Sequence, residues 1–174
     1  MIRGGKGGGN TLTGLNFEKT SDINVLLDKT PGYSVKGSII FYKGKEVARS
    51  YKKHGLYVFL VSQGLDYRKY ISKKLLPDEA LYVIINNTLF IIEVKFQMVA
   101  GSVDEKLQTC DFKRKQYAKL LAPLNIEVEY IYILSDWFNT ASYKDVLTYI
   151  TSVGCHYYFG YLPLQKLGLP VPKD

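Results

Sequence analysis

Asp78, Glu93 and Lys95 stand in LPDEALYVIINNTLFIIEVKF, residues 76–96, a stretch that is otherwise apolar and strand-like. Charges beside a core must be paired, solvated or bound to a metal. One outcome is an ion pair at the rim, Lys95 with Glu93 or with Asp78. The other is a magnesium site. Two hard carboxylate oxygens, a backbone carbonyl and waters satisfy an octahedral Mg²⁺. Such an ion polarises a phosphodiester and lowers the pKa of a bound water. A lysine beside it orients or deprotonates that water, or steadies charge developing on phosphorus.

This chemistry needs the three groups together, and the predicted elements bring them together. Apolar runs over 80–85 and 89–96 flank Asn86-Asn87-Thr88. Asparagine tolerates positive φ, so a tight turn between antiparallel strands is expected there. Side chains alternate along a strand, which puts Glu93, Lys95 and Gln97 on one face and Val94 and Phe96 on the other. Folding the hairpin lays Asp78, at the base of the first strand, near Glu93 and Lys95.

The flanking segments follow the same logic. Residues 1–9 are Gly-rich and predicted flexible, without the strand or the Gly-Lys-Ser/Thr ending that a phosphate loop requires. From Asn10 a helix is expected, capped by Asn10 or Thr11, with Leu12, Leu15, Ile23, Leu26 and Leu27 as its apolar stripe. A basic hairpin is predicted from runs at 38–42 and 46–51 around Lys43-Gly44-Lys45. It reads either as a solvated edge or as a wing that binds a nucleic-acid backbone, with Lys52 and Lys53 adding to the charge. LYVFLVSQ is predicted as a buried strand and DYRKYISKKLL as a short basic helix. After the charged hairpin, Ser102 and Glu105 form a capping-box pattern for a helix reaching about residue 121. Leu107, Cys110, Tyr117 and Leu121 make its apolar face, and Gln108, Lys113, Arg114 and Lys115 could reach phosphates from it. IEVEYIYIL predicts a strand, SYKDVLTYITSV a helix, and CHYYFGYLPL a final strand or a dimerisation segment. No spacing argument assigns a role to Asp136, Trp137 or His156.

Composition bounds these readings. The chain has 174 residues, 47% of them apolar, which suits one domain over 10–174 with a sizeable core. Its 23 Lys and Arg against 16 Asp and Glu leave a net charge of +7, which fits a polyanionic partner. No apolar run nears the roughly 20 positions of a membrane span, and the N-terminus lacks the apolar core of a secretion signal. Cys110 and Cys155 read as reduced thiols of a cytoplasmic protein, short of a zinc site even with His156 adjacent.

Pro77-Asp78, fourteen residues, then Glu93-Val94-Lys95 resembles the PD-(D/E)XK nuclease signature as it stands in type II restriction endonucleases. GGNTLTGLNFE, residues 8–18, is similar to an N-terminal helix of a subgroup of those enzymes, in which a glutamate often completes the metal site; Glu18 is the matching position. Residues 96–117 resemble the loop and helix that follow their catalytic strand. The resemblance covers 8–18 and 76–121. It implies an α/β fold (α+β in detail), a mixed central sheet flanked by helices with a restriction-endonuclease-like core. It also implies a prokaryotic, cytoplasmic enzyme that hydrolyses double-stranded DNA at a specific sequence. Asp78, Glu93, Glu18 and the Val94 carbonyl would hold Mg²⁺, with Mn²⁺ as a substitute, and Lys95 would handle the attacking water. A homodimer or a larger restriction subunit is the implied partner, with a cognate DNA methyltransferase as functional companion. The small cleavage subunit of a heteromer, a junction-resolving or repair nuclease, and a non-catalytic basic DNA-binding module stay open as alternatives.

Overall fold

The computed structural model describes residues 13–96 and 103–173. The Gly-rich start, the expected caps Asn10 and Thr11, Gln97 and the expected cap Ser102 lie outside them. A seven-stranded mixed sheet forms the centre of the fold, with helices packed against it. Its strands run in the order β2 (Tyr33–Lys36), β3 (Ile39–Tyr42), β4 (Lys45–Ser50), β5 (Glu79–Val83), β6 (Thr88–Lys95), β7 (Glu127–Leu134) and β8 (His156–Phe159). From β2 to β6 neighbours are antiparallel; β6, β7 and β8 are parallel. The parallel pairs need crossovers. Helices α3 (Val103–Leu107) and α4 (Cys110–Leu121) span the first, and α5 (Lys144–Ser152) the second. Among the described residues no helix is long and apolar enough to cross a membrane.

Strand alternation divides the core into two layers. Leu89 and Ile91 of β6, with Tyr130 and Tyr132 of β7, face α4, α5 and α2 (Gly55–Ser62). Phe90 and Ile92 face the other way, onto Leu15, Phe17, Ile23 and Leu162. That second layer is closed by α1 (Ile23–Asp28) and a two-stranded ribbon of β1 (Gly14–Asn16) and β9 (Tyr161–Pro163). The turn after β5 holds Asn87 at φ 51°, and its side-chain amide donates to the Asn125 carbonyl at 2.6 Å, tying the hairpin to the entry of β7.

Four expectations are corrected here. The segment from residue 13 does not continue a helix: it forms β1, and helical backbone begins only at Ile23, where Asp22 accepts from the amides of Asn24 and Val25. Gly14 explains the strand, since a Cβ there would sit 2.5 Å from the Leu162 carbonyl oxygen. LYVFLVSQ is helix α2, which buries Leu56, Tyr57 and Leu60 and leaves Val58 and Val61 exposed. DYRKYISKKLL contributes one short 3-10 turn, Tyr67–Lys69. The helix expected to run unbroken to residue 121 is two helices. Gln108 and Thr109 donate to carbonyls three residues back, at 3.1 and 3.3 Å, and the Thr109 hydroxyl caps the Lys106 carbonyl at 2.7 Å. This tighter turn re-aims the chain before α4.

Candidate active site

The base of β5 is held in place by the segment leaving β4. The Tyr51 amide donates to the Ala80 carbonyl at 2.7 Å and the Lys53 amide to the Pro77 carbonyl at 2.9 Å. Glu79 pairs with Ile92, so Asp78 and Glu93 fall at facing positions at the open end of the hairpin. The buried Tyr117 phenol registers the convergence: its pKa is pushed up by burial first, then by Tyr57, Glu93 and Asp78.

Each carboxylate has a cation of its own. Lys53 Nζ lies 2.5 Å from Asp78 Oδ1. Glu93 is buried, and its Oε1 accepts from Lys113 Nζ at 3.0 Å and from the Tyr130 hydroxyl at 2.5 Å. Lys95 Nζ stands 3.4 Å from Glu93 Oε2, an oxygen that makes no hydrogen bond. Burial by itself would raise the Glu93 carboxyl. Tyr130, Lys113 and Lys95 outweigh it and hold the group below its ordinary value, so the carboxylate stays charged.

Glu18 follows β1 in a bend, exposed rather than helical, and the Phe17 amide donates to the Gly160 carbonyl at 2.8 Å. Glu18, Lys53, Asp78, Glu79 and Val94 line one cleft of about 740 Å³. The fold therefore puts Glu18, Asp78 and Val94 along one cleft, with Glu93 and Lys95 paired to each other at the facing strand position. Among the described residues no three carboxylate, imidazole or thiol side chains converge tightly enough to hold an ion by themselves.

The residues expected to meet phosphates are engaged inside the chain. Lys52 bridges Asp22 at 2.9 Å and Glu79 at 3.1 Å, Lys53 holds Asp78, and Lys113 holds Glu93. Lys115 and Arg114 both lean on Asp111, at 2.8 and 3.9 Å. Gln108 is exposed at the break between α3 and α4, its carbonyl accepting from the Tyr149 hydroxyl at 3.3 Å.

Sequence reasoning missed two groups. Tyr130 lies in the IEVEYIYIL strand, and its partnership with Glu93 depends on the parallel register that sets Ile91 beside Tyr130 and Glu93 beside Tyr132. Glu79 stands just before the apolar run at 80–85. Burial pushes its carboxyl up to about 7 against the pull of Lys52, and its Oε2 has no hydrogen-bond partner. The signal was available in the alternation, which turns Glu79 to the face opposite Asp78.

Comparison with family models, with curated proteins and with solved structures gave no significant match. The assignment of this site rests on its own geometry and on the motif.

Proposed function

We propose that the chain is a Mg²⁺-dependent endonuclease of the PD-(D/E)XK type that hydrolyses double-stranded DNA at a specific sequence. One observation carries the reading. A buried, charged Glu93 keeps an oxygen without a hydrogen bond beside Lys95, facing the strand position of Asp78. An oxygen left in that state inside a protein costs free energy unless something binds it. Asp78, Glu93 and the Val94 carbonyl fit a hard cation that keeps several waters, with Glu18 reaching in from β1. When bound, the ion would polarise a phosphodiester and acidify a coordinated water. Lys95 would orient or deprotonate that water, or steady the charge developing on phosphorus. Lys113 and Tyr130 fix the Glu93 carboxylate so that its second oxygen keeps one direction. The fold supports the same reading: the meander β4–β5–β6, the helical crossover and the parallel strand β7 are what a restriction-endonuclease-like core would use.

One such site cuts one strand. Cleavage of both strands calls for a twofold dimer or for a larger restriction subunit with this chain as the cleavage partner. The competing reading is a basic DNA-binding module, and the lysine paired to each carboxylate is the observation in its favour. The test is incubation of the purified protein with unmethylated phage DNA, with Mg²⁺ or with chelator. Discrete fragments only with Mg²⁺ are expected. Nicked circles would identify a one-strand cutter lacking its partner subunit. Cleavage restricted to branched DNA would reassign it as a junction-resolving or repair nuclease. DNA retained on the protein but intact in every condition would leave the binding module.

A further inference from the structure

A second recess, of about 390 Å³, opens beside the cleft at the carboxyl ends of β6, β7 and β8. In parallel sheets that edge is where ligands bind. Phe96, Trp137 and Phe159 supply its walls, and Glu18 and Asp136 its charged groups. Phe96 and Trp137 are 41% and 38% exposed, two large rings left open to solvent side by side in the recess. The Trp137 indole N–H is already committed to the Tyr143 hydroxyl at 2.9 Å, which fixes the ring. The recess is joined to the candidate site twice over. Glu18 and Phe96 line both spaces, and the Ser135 amide donates to the Lys95 carbonyl at 3.2 Å.

We infer that this recess is a slot for one unstacked nucleobase of the DNA held in the cleft, selective for a base with an exocyclic amine over thymine. The inference rests on the nuclease reading. Aromatic walls stack on any base, and their contribution does not depend on sequence. The selectivity comes from Asp136, whose carboxylate only accepts hydrogen bonds when ionised and so matches an exocyclic amine, as on cytosine N4 or adenine N6. Thymine has no such amine and offers only its ring N3–H, and phosphate offers acceptors only. A cationic side chain would also suit rings and carboxylates; the base is favoured because Glu18 and Phe96 make the recess continuous with the cleft in which the nuclease reading places DNA.

Trp137 is the sole tryptophan of the chain, so its fluorescence reports on the slot alone. The experiment titrates the full chain, in chelator, with short homo-oligonucleotides of cytosine, adenine and thymine and with an abasic strand. Binding is followed in parallel by anisotropy, and cleavage of duplex DNA is assayed separately in Mg²⁺. Cytosine and adenine oligomers should quench Trp137 at roughly tenfold lower concentration than thymine, with no quenching by the abasic strand. Asp136→Asn, at an exposed position, should fold normally and erase that preference. Equal quenching by all strands, or binding without quenching, overturns the slot; cleavage in Mg²⁺ alongside either result leaves the nuclease reading intact. Base-selective quenching without cleavage of any substrate keeps the slot and overturns the nuclease reading.

Discussion

On the nuclease reading, Asp78 separates chemistry from stability. The Asp78–Lys53 pair is half exposed, and exposed pairs contribute only about 0–1 kcal/mol. Asp78→Ala should therefore melt close to wild type while cleavage falls by at least about a hundredfold, checked by calorimetry and by a plasmid-cutting time course; Lys95→Ala should lose cutting likewise, and also some stability, because Lys95 partners the buried Glu93. Retained cleavage in either variant would sink the assignment. Tyr130 behaves differently because its hydroxyl serves a buried charge. Tyr130→Phe should lower unfolding free energy by about 1.5–3 kcal/mol in urea. Glu79 sets a pH dependence. Its carboxyl sits at about 7 in the fold against 4.5 as the ordinary value, so the folded state holds the proton more tightly. The stability this contributes is complete below about pH 4.5 and is lost as pH rises through about 7. A denaturant midpoint that falls over this window, and a flatter profile in Glu79→Gln, are the expected outcomes. Of the site itself, the Asp78–Glu93–Lys95 grouping was readable from period-two alternation and one asparagine turn. The partners were not: Lys53, Lys113 and Tyr130 come from other segments, and only the tertiary register brings them in.

Local pattern succeeded where burial was one-sided and failed where it was not. The hairpin around Lys43-Gly44, the strands β5, β6 and β7, and α5 followed from alternation, helical period and turn residues. Helix α2 did not, because Val58 and Val61 are apolar yet exposed, at 70% and 71%, and fill in the gaps that would have marked an amphipathic helix. At the N-terminus, Leu15 and Ile23 both fall on a helical stripe but belong to different elements of the same core layer. Gly14 is the residue that decides there, since β1 approaches β9 backbone to backbone. Gly14→Val should force the ribbon apart at a cost of about 1–3 kcal/mol, visible as a lower melting temperature. Because Glu18 hangs from that ribbon, the same variant should also weaken Mg²⁺-dependent cutting at temperatures where the protein remains folded.

Taken as one body, the chain carries a net charge of +7, yet Lys52, Lys53 and Lys113 beside the candidate site are already matched to acids. Duplex binding should weaken steeply with salt, as phosphate contacts release counterions. A binding constant that does not change with salt would exclude backbone contact as the basis of the affinity. The matched pairs have another effect. On the nuclease reading, Lys53 and Lys113 act as internal counterions, occupying the carboxylates that a divalent ion would use. A DNA phosphate competes for those ammonium groups, and the acids it releases are then free for the ion. Duplex and metal thus become mutual effectors, each raising the affinity of the other by the same factor. A protein wired this way would sit quiescent even where magnesium is plentiful, latched by its own side chains until nucleic acid arrives to turn the key.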